Sequence, residues 1–386
     1  MGAIRPTSFH RGDRALTRGA TRALVSSGLA LALLACACAK EKPTAPPPAG
    51  TRSYRMGFSG LPSRPDQVLA VQEIQMWGLR ADAAIWHEEP PWQALLAGAS
   101  ADSLVRANFL GLAQYYRGHG LALVFEIDPT NGLNRSVNAD SLVAHGQSIG
   151  MPYVQAAFRR WAAAVDTILV PDDLGLACEV NLVRVAAPDS LYQAEKQLAR
   201  STADLLRAMH AARPVPHAGR LYATIQVDLA WGRLGGPGVY QGAATELADF
   251  SWADRVGLSA YPYLAGFDEP DLIPTDYFAR IARDAGKPVM VIEGGWTSAS
   301  LASAAVTSSP AKQARYVRRM TSLLDAAGAT AWFQLEFADL DLASFPPQPP
   351  GSILPLFATL GFTDPDMNPK PALEPWDSAF AKARVP

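Results

Sequence analysis

The sequence predicts an α/β protein, a (β/α)8 TIM barrel in a single domain, and two observations support this. Eight short, continuously apolar runs recur along the chain from residue 54 onward. Longer stretches of helical period separate them, and several end in glycine, a common helix C-cap. Apolar strands alternating with helices indicate a parallel sheet covered on both faces, and eight such units favour a closed barrel over an open sheet.

The segments between consecutive predicted strands consist mostly of sequence with helical period. SLVRANFLGLAQYYRGHG and SPAKQARYVRRMTSLLDAAG are two of the amphipathic stretches. No G-x-G-x-x-G motif follows the first strand, so nothing favours a dinucleotide-binding sheet. The eight strands are expected at residues 55–60, 81–86, 121–128, 174–181, 221–228, 255–261, 288–293 and 330–336.

Composition and charge restrict the class of protein. Hydrophobic residues make up 49% of the 386 residues and charged residues 18%, which permits a large core and argues against global disorder. The net charge of −2 argues against a nucleic-acid partner, which requires a basic face. A globular protein without a nucleic-acid partner is therefore expected, and we also expect a monomer.

The first 38 residues have the pattern of a targeting segment. Five arginines precede an apolar run over residues 23–35, a charged region followed by a short hydrophobic one. The run ends in LLAC, which resembles the signal box of bacterial lipoproteins and implies lipidation at Cys36. Cys38 is a second candidate, and an ordinary cleaved signal peptide is the alternative.

A proline-rich stretch over residues 39–53 lacks hydrophobic period and reads as an extended tether. Residues 54–386 then form the predicted barrel domain. This arrangement predicts a location in the bacterial cell envelope, lipid-anchored at the outer membrane or cell surface, or secretion. The lipid is the only expected membrane contact. The body holds one cysteine, Cys178, so no disulfide is expected within it.

Polar and aromatic side chains stand where the predicted strands end, which is where barrels of this kind place their active residues. Carboxylates and amides can bind sugar hydroxyls, and aromatic faces can stack on sugar rings. A carbohydrate substrate is therefore expected. The candidate contacts are Trp86, His87, Asp128, Asn181, Asp228, Tyr261, Tyr263, Trp296 and Trp332.

Two glutamates differ from the rest, because each directly ends an apolar run. Glu179 ends the fourth strand and Glu293 ends the seventh. Hydrolysis of a glycosidic bond uses two carboxyl groups: one protonates the leaving oxygen, and the other attacks the anomeric carbon or activates water. No metal or other cofactor is needed, and none is expected.

Three segments resemble clan A retaining glycoside hydrolases. DRVGLSAYPYLAG (residues 254–266) is similar to a segment of the endo-β-1,4-galactanases, and ACEVN (177–181) and KPVMVIEGGW (287–296) are similar to their two glutamate segments. The resemblance implies that Glu179 is the acid/base and Glu293 the nucleophile. It also implies that Tyr261 hydrogen-bonds the nucleophile and that Trp332 and Trp296 are sugar platforms.

The chain departs from that family beside the acid/base. Cys178 occupies the position where the family has an asparagine that binds the sugar, and thiols are poor hydrogen-bond partners. Asn181 would face the same side as Glu179 in a regular strand and is the candidate substitute. Two alternatives stay open: a barrel that binds glycans at the cell surface without turnover, and a barrel hydrolase that uses His87 with a metal.

Overall fold

The computed structural model describes residues 50–212, 219–348 and 351–385. Eight parallel strands pair in sequence order into a closed barrel, which confirms the predicted fold class. The expected signal segment, with Cys36 and Cys38, lies outside the described residues. The barrel strands are β1 (Arg55–Ser59), β2 (Ala83–Glu88), β3 (Ala122–Ile127), β4 (Asp173–Gly175), β5 (Arg220–Gln226), β6 (Arg255–Ala260), β7 (Val289–Gly294) and β8 (Ala331–Gln334).

Helices cover the outside of the barrel and begin and end at residues suited to those positions. The helix Pro310–Ala327 starts after Ser309, whose side chain accepts a hydrogen bond from Lys312 N, and ends at the left-handed Gly328. The α-helices are Gln67–Gly78, Trp92–Leu96, Ala101–Val105, Gly111–Gly118, Asp140–Val143, Pro152–Leu169, Val180–Ala186, Asp189–Ala212, Val227–Ala230, Ala244–Asp249, Ala279–Ala285, Pro310–Ala327 and Leu373–Phe380.

Shorter helical turns complete the loops. A π-helical turn, Arg106–Leu110, joins two of the α-helices. The 3₁₀ turns are Pro262–Ala265, Pro270–Leu272, Ala302–Ala304, Leu342–Ser344 and Leu354–Leu356. No helix within the described ranges is long and apolar enough to cross a bilayer.

The barrel closes where β1 pairs with both β2 and β8. Gly57 lies in register with Ala83 and Phe333. A Cβ atom on Gly57 would come within 2.3 Å of the Ala83 carbonyl oxygen and 2.7 Å of the Phe333 ring. Only glycine lets the strands and the interior side chains approach this closely.

Two separate apolar layers lie on either side of the strands, since successive side chains alternate between them. The outer layer lies between the strands and the helices and includes Trp86 and Trp332. The inner layer fills the barrel and consists of Ala83, Ile85, Val124, Tyr222, Met290, Ile292, Ala331 and Phe333.

A two-stranded pair joins the first and last parts of the described body. Thr51–Arg52 pairs in parallel with Ala383–Arg384, so two residues of the expected tether belong to the folded body. Arg52 also forms an ion pair of 2.6 Å with Asp82, the residue that precedes β2. These contacts lie at the end of the barrel where the strands begin, opposite the end where Glu293 lies.

Candidate active site

The structure brings the two predicted catalytic glutamates together through one serine. The Ser259 hydroxyl lies 2.7 Å from Glu179 Oε1 and 2.6 Å from Glu293 Oε1. The two Oε1 atoms are therefore at most about 5.3 Å apart, the total of those distances, which is below the roughly 6.5 Å at which inverting pairs begin. The pair thus has the spacing of a retaining site.

Glu179 is held in an uncommon backbone conformation. The strand β4 stops at Gly175 rather than near residue 181, and Glu179 has φ 44° and ψ 47° immediately before the helix Val180–Ala186. Its N–H donates to Thr224 Oγ1 at 2.6 Å. The left-handed region costs a non-glycine residue free energy, and such strain clusters at functional sites.

Arg135 is a site residue that sequence reasoning missed. It lies in the loop after β3, where its Nε is 2.9 Å from Glu179 Oε2 and its Nη1 is 2.5 Å from Asp128 Oδ2. Thr130 N and Oγ1 donate to the other oxygen of Asp128. Asp128, expected to bind sugar, is therefore at the site but is occupied in orienting Arg135. Nothing in the local sequence distinguishes a loop arginine 44 residues before its partner.

Glu293 lies on β7 with its side chain 17% exposed. Burial raises the pKa of Glu293 to about 7, and the nearby charge of Glu179 adds to the rise, while the hydrogen bond with Ser259 opposes it. A carboxyl group with this pKa is partly protonated at neutral pH. The role that the resemblance implies for Glu293, that of a nucleophile, requires the ionised form.

His87 lies beside Glu293 as expected from its place on β2. Its Nε2 is 4.0 Å from Glu293 Oε2 and 3.4 Å from Glu126 Oε2. Burial lowers the pKa of His87 to about 4, so the ring is uncharged at neutral pH. Among the described residues, no group of three or more His, Cys, Asp or Glu side chains is arranged to hold a metal ion.

Cys178 and Glu126 form the buried floor of the site. The Cys178 thiol is 3.9 Å from the Ile127 carbonyl oxygen, and burial raises its pKa well above the usual value. It is therefore a thiol rather than a nucleophilic thiolate. Burial also raises the pKa of Glu126 well above its usual value, and the charge of Glu293 contributes.

The three tryptophans proposed as sugar contacts do not reach the site. Trp332 is 1% exposed and packs outside the barrel on Tyr54 and Trp376. Trp86 lies in the same outer layer. Trp296 is also 1% exposed, and its indole N–H donates to Ser308 Oγ at 2.9 Å. The prediction of aromatic platforms at these positions is wrong, because each ring is core.

Asn181 and Asp228 have structural roles instead of the expected sugar contacts. Since the chain has already left the strand, Asn181 does not face the same side as Glu179. Its amide exchanges two hydrogen bonds of 2.8 Å with the backbone of Gln226. Asp228 is fully buried and accepts hydrogen bonds from Tyr261 N at 2.9 Å and from the Tyr277 hydroxyl.

The two tyrosines of the YPY segment are both buried but have different neighbours. Burial raises the pKa of Tyr261 well above the usual value, and the charges of Glu293 and Glu179 add to it, which places the ring near the pair. No hydrogen bond from its hydroxyl to Glu293 occurs in the described part of the chain; Ser259 makes that contact. Tyr263 donates to the Leu356 carbonyl at 2.9 Å and is a core residue.

Comparisons with known proteins agree with the barrel fold. No family model and no curated protein matches the chain. Among solved structures, it is similar to the exo-β-1,4-mannosidase Op5Man5 from Opitutaceae bacterium strain TAV5, at 15% identity and TM-score 0.57, over 87% of this chain and 60% of that one.

Two further structures have the same fold. GH5_18 from Streptomyces cattleya is 17% identical at TM-score 0.54, over 87% of this chain and 83% of that chain. The β-glucuronidase of Bifidobacterium dentium is 15% identical at TM-score 0.51, and this chain, 86% covered, spans only 47% of its length. These likenesses give no support to the galactanase family in particular. They establish the fold as a (β/α)8 barrel of the kind found in glycoside hydrolases.

Proposed function

We propose that this protein is a retaining glycoside hydrolase that cleaves β-linked oligo- or polysaccharides. The observation that supports it most is the Ser259-bridged pair, two carboxyl groups at retaining distance at the mouth of the barrel. The solved structures of the same fold include a β-mannosidase and a β-glucuronidase, which favours β-linked substrates as a class. A galactan-like substrate is a further prediction from the resemblance of residues 254–266.

In the proposed reaction, Glu179 protonates the glycosidic oxygen while Glu293 attacks the anomeric carbon and forms a glycosyl-enzyme. Glu179 then removes a proton from water, which hydrolyses that intermediate with net retention. Arg135 orients the Glu179 carboxyl through its 2.9 Å contact, and Asp128 fixes Arg135. Thr224 fixes the backbone from which Glu179 projects.

A second candidate function is glycan binding without turnover. It is favoured by the absence of an asparagine directly before Glu179. The amide of Asn181 is already hydrogen-bonded to the backbone of Gln226. The sugar contact that the asparagine makes in the galactanases therefore has no counterpart at either position. The burial of Trp86, Trp296 and Trp332 counts against this candidate, since sugar-binding barrels expose aromatic faces.

The test is a screen of aryl β-glycosides and β-linked glycans with the wild type, Glu293→Gln and Glu179→Gln. If the protein is a hydrolase, Glu293→Gln should lower kcat by about 10³-fold or more. Glu374→Gln, a carboxyl that is 71% exposed, is the matched control and should be unaffected. Binding of a glycan by the wild type with no turnover on any substrate would replace the hydrolase proposal with the second candidate.

Retention itself is checked separately. Proton NMR of the first product should show the β-anomer, and a 2-fluoro glycoside should label Glu293, as located by peptide mass spectrometry. An initial α-anomer would contradict the retaining assignment.

A further inference from the structure

The hydroxyl of Ser259 lies between the two glutamates and is fully buried. A serine hydroxyl has one hydrogen to donate and two lone pairs to accept with. It can therefore donate to one of the two carboxyl groups only. The other carboxyl group must carry a proton of its own and donate it to Ser259 Oγ, so the arrangement holds one proton for two glutamates.

The surrounding charges indicate which glutamate carries that proton. The Arg135 guanidinium is 2.9 Å from Glu179 Oε2, so a permanent positive charge lies against that carboxyl group. In the described part of the chain, no lysine or arginine lies within ion-pair distance of Glu293. The nearest basic side chain is His87, 4.0 Å away and uncharged at neutral pH. The resting proton therefore belongs on Glu293.

Burial and four neighbouring side chains shift the pKa of Glu293. Burial and Glu179 raise the pKa of Glu293, and Asp128 raises it further, whereas Ser259 and Arg135 lower it. The net direction is upward, which agrees with a protonated Glu293 at rest. The ionisable side chains that face it are His87 from β2, Glu126 and Asp128 from β3 and its end, Arg135, Glu179, Tyr222 from β5 and Tyr261 after β6.

We propose that Ser259 is a positioning residue that transfers this shared proton between the two glutamates. The inference rests on the proposed function, because the resting arrangement is the reverse of the one that cleaves a glycoside. Glu293 gives its carboxyl proton to Ser259 Oγ while Ser259 gives its own hydroxyl proton to Glu179. One O–H bond breaks and one forms at each step, the total charge is unchanged, and Glu293 becomes the carboxylate nucleophile.

The position of the resting proton can be measured without any substrate. Infrared difference spectra at pH 6 between the wild type and each variant report which carboxylic acid is lost. Loss of a carboxylic acid band in Glu293→Gln, with its retention in Glu179→Gln, is the expected result. Loss of the band in Glu179→Gln alone would place the proton on Glu179 and overturn the proposal.

The transfer is tested with the aryl glycoside that the wild type cleaves fastest. Ser259→Ala should lower kcat by about ten-fold or more with KM within about two-fold, and should displace the pH profile of kcat. Ser259→Thr keeps the hydroxyl and should retain most of the activity. Thr202→Val, which removes a buried hydroxyl inside the helix Asp189–Ala212, is the control.

A Ser259→Ala enzyme with the kcat and pH profile of the wild type would contradict the transfer. Failure of the proposed function has a different signature. In that case the wild type cleaves no glycoside, while the infrared spectra still decide where the shared proton rests.

Discussion

The hydrogen bonds around Glu179 and Glu293 distribute charge unevenly between two chemically identical side chains. Glu179 accepts from Arg135 and Ser259, and its backbone is fixed by Thr224. Among the described residues, the side-chain carboxyl of Glu293 has a hydrogen bond with Ser259 alone. Environment rather than residue type therefore separates the two roles, as two-carboxylate mechanisms require.

The raised pKa of Glu293 predicts how stability changes with pH. The folded protein keeps the Glu293 proton up to about pH 7, whereas the unfolded chain releases it near its ordinary value of 4.5. The stability contributed by the protonated group is complete below pH 4.5 and is lost as the pH rises towards 7. The glutamine of Glu293→Gln cannot ionise. The free energy of unfolding of this variant, relative to that of the wild type, should therefore increase between pH 5 and pH 8 by up to about 3 kcal/mol.

Urea unfolding of both proteins at the two pH values measures this difference. Glu374→Gln, at an exposed site, should show the same small offset at both. A Glu293→Gln advantage that is equal at pH 5 and pH 8 would mean that Glu293 does not titrate abnormally.

Removal of the Arg135 cation should be costly, because it leaves two acids without their partner. Asp128 and Glu179 are both nearly buried. Breaking a buried ion pair from one side costs roughly 3–5 kcal/mol. Arg135→Met should lose stability of this order in urea unfolding, and the double variant Arg135→Met with Asp128→Asn should recover part of it. Equal stability of the single and double variants would show that the two side chains are not coupled.

The strands were predictable because each is a continuous apolar run, and all but β4, which ends six residues early, begin and end within two residues of their expected positions. The same property concealed which face each residue takes. In β8, Trp332 points outward and Phe333 inward, and both are buried. A strand covered on both faces has no polar side to mark its orientation, so the sequence could not tell a core tryptophan from a sugar platform.

The sequence predicted the two glutamates of the candidate site, with His87 and Asp128 beside them, but not the contacts that join them. Apolar sequence continues through residues 174–178, which concealed the end of β4 at Gly175 and the left-handed turn at Glu179. Ser259 could have been found, since it lies two residues before Tyr261 on the segment that resembles the galactanases. Arg135 could not, because a loop side chain that reaches another strand end leaves no periodic signal.

Two glycines, one in β1 and one at the end of a helix, should respond differently to substitution by alanine. Gly57→Ala would place a methyl group 2.3 Å from the Ala83 carbonyl oxygen, and the paired strands cannot move apart without breaking their ladder. We expect a loss of about 1–3 kcal/mol or failure to fold. Gly78 is at the end of a helix, and a Cβ atom added there would have no other atom within 4 Å. Gly78→Ala should therefore be neutral or stabilising. Thermal unfolding compares the two, and equal melting temperatures would contradict the close contact.

The strand pair of Thr51–Arg52 with Ala383–Arg384 and the candidate site lie at opposite ends of the barrel. The strand Thr51–Arg52 pairs with Ala383–Arg384 beside the start of the barrel strands, and Glu179 and Glu293 lie where the strands end. A tether that leaves from residue 50 therefore departs from the side opposite the mouth. An anchor on that tether would leave the mouth accessible to glycans away from the membrane.

We predict that Cys36 is lipidated, which would attach the protein to a membrane through residues 39–53. The full chain expressed in a bacterial host should incorporate labelled palmitate and partition with membranes, and Cys36→Ser should abolish both, because the modified side chain is the attachment point. Cys38→Ser is the matched control and should keep the label. Label that persists in Cys36→Ser and is lost in Cys38→Ser would move the site two residues along the chain. A wild type that takes up no label and appears in the medium would identify the segment as an ordinary signal peptide.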